Sequence, residues 1–425
     1  MLASRLSKPS ATSTRLIDAL AGPYTVVNEW PPRGLRGLAT RLLRSKLLEM
    51  TRTIEELIPE YIRGLPVYVP GRPIEDVERE LKIHAIKLAS NENPLGPSPK
   101  GIEAARKVLA DANRYPDGGT LRLREKLAAM HGVSPDEIFI GLGSSELIDL
   151  ASRVLLERGL IGLTAEGTYA PFSIAIRMNG GALEQVPLCA FKFDLPEMAR
   201  AITNATRIIY LANPNNPTGT AFGAEEFERF LSHVSSETLV VLDEAYVHYA
   251  DREDMPASVE LFKSRKNLLI LRTFSKVYGM AGIRIGYGIG AGALVNAMNR
   301  LKTPFNTSGV AQAAALAALD DHEHVKRCIE ANRVERKRIT EEVAKLGLKP
   351  VKSESNFVFV ETGPEAKTIS DELLHEGVIV RPLAWMGFPE AIRISVGTKE
   401  ENDKLFAALG RVMARRKGKP ELTAR

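Results

Sequence analysis

The chain has 425 residues, 44% apolar and 26% charged, with 33 Gly and 25 Pro, the make-up of an ordinary globular protein long enough for two lobes with large cores. No run of about 18 apolar residues occurs, which excludes a membrane-spanning helix; two cysteines, Cys189 and Cys328, are too few for a disulfide framework and point to a reducing, cytoplasmic setting. The net charge of +5 lies wholly within residues 1–49, where eight Lys/Arg face three acids, and the rest holds 49 of each sign, so the body offers no electrostatic case for nucleic acid.

Residues 1–52 stand ahead of the first predicted element. They are basic, Ser/Thr-rich near the start, and lack an apolar signal-peptide core. Three origins fit them: sequence upstream of a true start at Met50, a disordered tail, or a transit-like leader. Thr53-Ile54-Glu55-Glu56 reads as a capping box opening a short helix. A Pro-rich connector (Pro59, Pro66, Pro70, Pro73) leads to a helix near 74–82 and an Asn/Pro/Gly loop at 90–99. Ile102, Ala105, Val108 and Leu109 then keep one helical face, and Leu123, Leu127 and Met130 keep another before Gly132 stops it.

The runs 207–211, 238–242, 268–271 and 283–289 are short, β-rich and almost continuously apolar, as strands covered by helices on both faces should be. Residues 325–346 read as a long charged helix ended by Gly347, and the runs 356–360, 377–381 and 391–396 as a small sheet. The fold class expected is therefore α/β. A large lobe over 90–309 carries a mostly parallel sheet flanked by helices. A smaller α/β lobe is built from 53–89 and 310–415, with a cleft between lobes and a tail at 416–425.

Three segments carry candidate chemistry. Arg272-Thr273-Phe274-Ser275-Lys276 follows a predicted strand, and Arg284 comes eight residues after the lysine. Schiff-base chemistry needs such a lysine amine, and a phosphorylated cofactor needs hydroxyls and a guanidinium around its dianion; a surface lysine on a loop is the plainer alternative. Asp243 ends the strand TLVVL in Leu242-Asp243-Glu244-Ala245-Tyr246, at the carboxyl end where open α/β sheets bind ligands. A buried carboxylate wants a partner, and a protonated pyridine nitrogen would be one; an N-cap Asp with a packed Tyr fits equally. Asn213-Pro214-Asn215-Asn216-Pro217-Thr218-Gly219 follows RIIYL and by itself announces only a turn. Gly141-Leu142-Gly143-Ser144-Ser145 precedes a helical pattern whose free N–H groups could cradle phosphate.

In this order and spacing, NPNNPTG, DEAY and RTFSK with its later arginine resemble the fold-type I, class I/II aminotransferases. Tyr68-Val69-Pro70-Gly71-Arg72-Pro73, Ser90–Pro97 (SNENPLGP), Arg114-Tyr115-Pro116-Asp117 and Ala391–Gly397 (AIRISVG) resemble the histidinol-phosphate aminotransferase branch. The resemblance spans roughly residues 53–415. It implies pyridoxal 5'-phosphate as cofactor, held by Lys276 as a Schiff base, with Lys276 also moving the catalytic proton. It further implies Asp243 at the pyridine nitrogen, Asn216 and Tyr246 at the phenolic oxygen, and Tyr169 stacked on the ring. Ser144, Ser145, Thr273, Ser275 and Arg284 would hold the phosphate, and Tyr115 would reach the phosphate of the neighbouring subunit's cofactor, so a homodimer is implied. Arg393 would grip the α-carboxylate of glutamate, Arg381 the phosphate of the substrate, and Asn93 would contact substrate. The implied reaction joins glutamate and imidazole-acetol phosphate to 2-oxoglutarate and histidinol phosphate. Two departures stand out: Gly167-Thr168-Tyr169 replaces Pro-Thr-Tyr, and Ser145-Glu146 replaces Asp-Glu.

An aromatic aminotransferase or a phosphothreonine decarboxylase would use the same scaffold. A PLP-binding regulator would need a fused DNA-binding domain, and residues 1–52 show no helix-turn-helix pattern. Gly286–Gly292 runs through a strand rather than opening a helix, so it is no dinucleotide fingerprint. The seven histidines suggest no metal site. His322 and His324, and the helix stretch Arg333–Arg338, are expected at solvated surfaces.

Overall fold

The computed structural model describes residues 53–65 and 72–417. The 1–52 extension, most of the Tyr68–Pro73 motif and the end of the 416–425 tail lie outside the described residues. Contacts divide the chain into a unit ending at Arg63 and one from Gly64 onward. In the first, the expected capping box is present: the Glu56 N–H donates to Thr53 Oγ1 (3.3 Å) and the Thr53 N–H to Glu56 Oε2 (2.8 Å). It opens the helical turn Ile54–Leu57, followed by Glu60–Arg63.

The second unit is built on a seven-stranded sheet. Its strands are β1 (Ile138–Gly141), β2 (Ile161–Ala165), β3 (Ala182–Val186), β4 (Thr206–Ala212), β5 (Leu239–Asp243), β6 (Leu268–Thr273) and β7 (Gly286–Ile289), in the order β1-β7-β6-β5-β4-β2-β3. The pairs β2–β3, β2–β4, β4–β5 and β5–β6 are parallel, while β7 is antiparallel to both its neighbours. Every residue of β5 is buried, as are Ile208–Ala212 of β4, because helices cover both faces. That is why these strands read as apolar runs rather than alternating ones. The run 283–289 shortens to β7 because Arg284 takes φ +60° and breaks the extended chain.

A smaller antiparallel sheet has the order β10-β11-β9-β8, with β8 Lys349–Pro350, β9 Phe357–Glu361, β10 Arg381–Leu383 and β11 Phe388–Ser395. The run 377–381 is split between two partners. Val378–Ile379 pairs with Ile86–Lys87 as a parallel two-stranded ribbon, and Arg381 begins β10.

The long helix runs His322–Lys345, and two expectations about it are corrected. His324 is buried, with Nε2 3.4 Å from Cys328 Sγ, while His322 is exposed. Arg336 is buried as well, donating to the Tyr249 and Ser355 carbonyls and to Asp251. Its charge is tolerated because these acceptors replace water. Periodicity alone did not reveal that this charged helix is covered on the side carrying Arg336. Among the described residues, no helix is long and apolar enough to cross a membrane.

Candidate active site

Strands β1, β4, β5 and β6 run the same way, so their carboxyl ends share one edge of the sheet. In-register pairing sets Ala212 beside Asp243 and Asp243 beside Leu271. A cavity of about 260 Å³ opens at this edge, lined among others by Gly143, Ser144, Ser145, Tyr169, Asn216, Asp243, Tyr246, Thr273, Ser275, Lys276, Arg284, Arg381 and Arg393. Motifs separated by up to 250 residues thus converge on one space.

Asp243 is 4% exposed. Its Oδ1 accepts the Ala245 N–H at 3.0 Å, but burial outweighs this and, with help from the Glu244 charge, pushes the carboxyl up to about 7. Glu244 next to it is equally buried yet is matched by Arg272, whose Nη2 lies 2.8 Å from Oε2. Asp243 is therefore a carboxylate built for a cation that comes from outside the chain. Lys276 reaches the same cavity: its Nζ donates to the Asn91 carbonyl at 3.1 Å and lies 5.3 Å from the Tyr246 ring centroid. The Tyr246 hydroxyl accepts from Asn91 Nδ2 at 3.1 Å.

The anion cradle sits at the start of the helix Ser144–Leu155, directly after β1. Gly143 turns the chain there at φ +81°, and a Cβ on it would meet Arg284 Nη2 at 3.0 Å, so only glycine lets the guanidinium approach the helix start. Arg284 donates to the Leu142 carbonyl (3.2 Å) and the Ala281 carbonyl (3.0 Å) and stands 3.5 Å from Ser275 Oγ. Thr273 Oγ1 accepts the Ser275 N–H at 3.1 Å, which aims both hydroxyl-bearing residues at the same end of β6. Ser145 Oγ is 3.0 Å from the Tyr169 hydroxyl, tying the aromatic ring to the cradle.

On the opposite wall Arg393 is buried in β11. Its Nη2 donates to the Ala89 carbonyl (2.8 Å) and its Nη1 to Asn216 Oδ1, with the guanidinium 5.2 Å over the Phe357 ring. Arg381 is its cross-strand partner on β10, so the two guanidinium-bearing residues sit side by side.

One expected residue falls elsewhere. Asn93 is not at the cavity wall: its Nδ2 donates to the Val277 carbonyl (2.9 Å) and approaches Cys328 Sγ (3.1 Å). Its neighbours Asn91 and Glu92 line the cavity instead. Asn91 adopts φ +54°, a turn that Asn tolerates and that reverses which asparagine of the SNEN segment looks inward. Tyr115, expected at the neighbouring subunit's site and not at its own, is 83% exposed, stacks on Phe305 at 4.7 Å and lies outside the cavity of its own chain, which does not count against that expectation. Lining residues that sequence reasoning missed include Asn91, Glu92, Trp385 and Met386; the SNEN segment signalled the first two, and nothing local signalled the others.

The Gly167 departure has a physical reason. Gly167 takes φ +63°, which proline, locked near −65°, cannot adopt. A Cβ there would meet the Phe388 ring at 2.4 Å. Thr168 behind it donates to Asn215 Oδ1 at 2.7 Å, fixing the Tyr169 loop to the NPNNPTG segment.

The aminotransferase class I and II family model matches residues 83–409. The chain belongs to the class I and II aminotransferases. Within this aminotransferase family it is 43% identical over 356 residues to histidinol-phosphate aminotransferase 2 of Pseudomonas aeruginosa, covering 83% of this chain and 96% of that one. It is 42% identical to the histidinol-phosphate aminotransferase of Halalkalibacterium halodurans, covering 84% and 97%. Among solved structures it is similar to histidinol-phosphate aminotransferase from Sinorhizobium meliloti in complex with pyridoxal-5'-phosphate. There the TM-score is 0.78 at 32% identity, covering 86% of this chain and 100% of that one. The mixed seven-stranded α/β architecture is that of the family, as the sequence led us to expect.

Proposed function

We propose that this aminotransferase moves an amino group from glutamate to imidazole-acetol phosphate, giving 2-oxoglutarate and L-histidinol phosphate, a step of histidine biosynthesis. The observation that carries the cofactor part is Asp243, a buried carboxyl pushed up to about 7 in a cavity that also holds Lys276. Such a group fits a protonated pyridine nitrogen, and the Gly143–Ser145, Thr273, Ser275 and Arg284 cradle fits a phosphate dianion. Pyridoxal phosphate matches both ends. The high identity to histidinol-phosphate aminotransferases over nearly their whole length supports the choice of substrate.

When bound, pyridoxal phosphate supplies an aldehyde that accepts the amino group and a ring that draws electrons away from it. The chain's own residues do the rest. Lys276 would hold the cofactor through its amine and would take the proton from the substrate Cα. Asp243 would stabilise a cation at the ring nitrogen, Tyr246 and Asn216 would serve the phenolic oxygen, and Tyr169 would cover the ring. Arg393, held by Ala89 and Asn216, presents a fixed fork for the α-carboxylate, and Arg381 takes the second anion of the substrate.

The proposal includes a cytoplasmic homodimer in which Tyr115 completes the neighbouring subunit's phosphate site. Its exposed ring, together with exposed Leu109, Leu121, Leu142, Leu301 and Phe305, supports an apolar interface there. It also keeps the large lobe at 90–309, set against a smaller one that includes 310–415. An assay decides the substrate: glutamate should bleach the cofactor's visible absorbance, and kcat/KM should favour imidazole-acetol phosphate over phenylpyruvate. Preference for phenylpyruvate would move the protein to aromatic amino acids; absence of any cofactor band would overturn the Lys276 role.

A further inference from the structure

Asn91 stands in the loop between Ile86–Lys87 and the helix Pro99–Leu109, at φ +54°. Glycine would hold that turn with less strain, and a buried amide is costly unless its polar atoms find partners. Asn91 is 1% exposed, and its atoms are used in a fixed order. Its N–H donates to Ser395 Oγ at 2.8 Å, and the Ser395 hydroxyl donates to Asn91 Oδ1 at 3.0 Å. With Oδ1 committed as an acceptor, Nδ2 is the atom turned to the Tyr246 hydroxyl, at 3.1 Å.

A tyrosine hydroxyl carries one hydrogen and can accept another on its oxygen. Tyr246 is buried, with its ring edge-on to Phe357 at 5.2 Å, so rotation about the C–O bond is the main freedom left to that hydroxyl. Accepting the Asn91 N–H on one side of the oxygen leaves the hydrogen for an acceptor arriving in the cavity that both residues line. The run from Ser395 through Asn91 to Tyr246 thus points each donor the same way, and each bond strengthens the next. The backbone of the same residue serves Lys276. The Asn91 carbonyl accepts from Lys276 Nζ at 3.1 Å and from Asn356 Nδ2 at 3.0 Å.

We propose that Asn91 is a positioning residue whose amide, anchored on Ser395, sets the Tyr246 hydroxyl as a donor toward the cofactor's phenolic oxygen. The inference rests on the proposed function and deepens it. A hydroxyl so set stabilises that oxygen as an anion, which lowers the pH at which the bound cofactor gives up its proton. A hydroxyl left to rotate donates there only part of the time, and the midpoint rises. Lys276, Asp243, Glu92, Arg284, Arg381 and Arg393 also face this cavity. They and the net charge stay the same in every variant below, so a difference in midpoint reports the hydroxyl.

The test titrates the visible absorbance of the holoenzyme against pH, without substrate, in wild type, N91G, S395A, Y246F and the doubles N91G/Y246F and S395A/Y246F. N91G suits φ +54° and keeps the carbonyl that meets Lys276, so it removes the amide and spares the turn. It should raise the midpoint by about one pH unit, and Y246F by at least as much. S395A, which frees the amide to turn over, should shift it the same way by less. Each double should match Y246F, because without the hydroxyl the amide has nothing to direct. A residue that served only the turn would leave N91G at the wild-type midpoint. That result, a shift that persists in full on the Y246F background, or a Y246F that does not shift would overturn the proposal. If N91G does not fold, S395A keeps the native turn residue and decides by the same sign, an unchanged midpoint again overturning it. Wild-type protein with no visible band refutes the function above, whereas a wild-type band that titrates identically in N91G refutes only the role of Asn91.

Discussion

The two walls of the cavity are built on different principles. The wall at the end of β4, β5 and β6 is made of short contiguous motifs, each hung from the carboxyl end of a buried strand, and its groups are buried and held locally: Asp243 accepts the Ala245 N–H, and Thr273 accepts the Ser275 N–H. The wall at β10 and β11 is made of a cross-strand pair, Arg381 and Arg393, and a half-exposed indole in the corner between them. Parallel strands held in register give the first wall a fixed geometry suited to one invariant cofactor. The second wall sets Arg393, buried and held by Ala89 and Asn216, beside the less buried Arg381 and Trp385, so that only its outer part can adjust to two substrates that must use the same space in turn. Rigidity lies where the partner never changes, and adjustable chemistry lies where it alternates.

Substitutions on the first wall should accordingly be far more damaging than those on the second. The largest loss is expected for K276A, which on the proposed function would remove both the covalent anchor and the proton carrier. Turnover should drop by at least about 10⁴-fold, with the cofactor's visible band altered, and a single-turnover assay with glutamate checks it. Activity retained within tenfold would break the contrast at once.

D243N comes next, with kcat lower by roughly 10²–10³-fold, since a neutral amide cannot keep the ring nitrogen protonated. It also has a pH signature. In cofactor-free protein the Asp243 carboxyl sits at about 7, above its unfolded value of about 3.9. The folded chain then holds a proton that the unfolded chain has released, so the contribution of Asp243 to stability falls as pH rises from about 4 to about 7. D243N should be the more stable protein at neutral pH, by an order of a few kcal/mol, and the two should converge near pH 4 in thermal or urea unfolding. His131 and His248, both pushed down to about 4 by burial, shift stability the other way, but in wild type and variant alike, so they cancel in the difference. Saturating cofactor should erase the gap.

On the second wall R393K should raise KM for glutamate about 10- to 100-fold with a smaller change in kcat, because an ammonium cannot replace a fork that also bonds Ala89 and Asn216. A loss as deep as that of K276A would show that the two walls are not energetically distinct. The smallest effect is expected for G167A, where φ +63° and the Phe388 ring oppose a Cβ. It should destabilise by about 1–3 kcal/mol with KM values little changed, measured by urea unfolding beside steady-state kinetics.

How much was legible in advance follows the same division. The strands that carry Asp243 and Lys276 were readable because burial on both faces forces an unbroken apolar run, and the residues just past each run are then placed by sheet geometry. Strands β1, β2 and β3 escaped notice; β2 (IGLTA) and β3 (ALEQV) mix Gly, Thr, Glu and Gln among their apolar residues, and β1 has only four residues. The SNEN segment was located, but not which asparagine faces the cavity, because the left-handed turn at Asn91 depends on a hydrogen bond from its N–H to Ser395, 304 residues away. Burial of His324 and Arg336 likewise depends on which elements cover the long helix, a fact that periodicity along that helix does not contain.

What the sequence carried by itself was the fold class, from its unbroken apolar runs, and the reaction family, through the resemblance of three short motifs in order to the class I/II aminotransferases; both rest on residues close together along the chain. Tertiary structure alone decided the partner of Arg381, the inward turn of Asn91, the necessity of glycine at 167 and the place of Trp385. These depend on pairs brought together only when separate strands and loops pack, and a one-dimensional pattern carries no record of such distances.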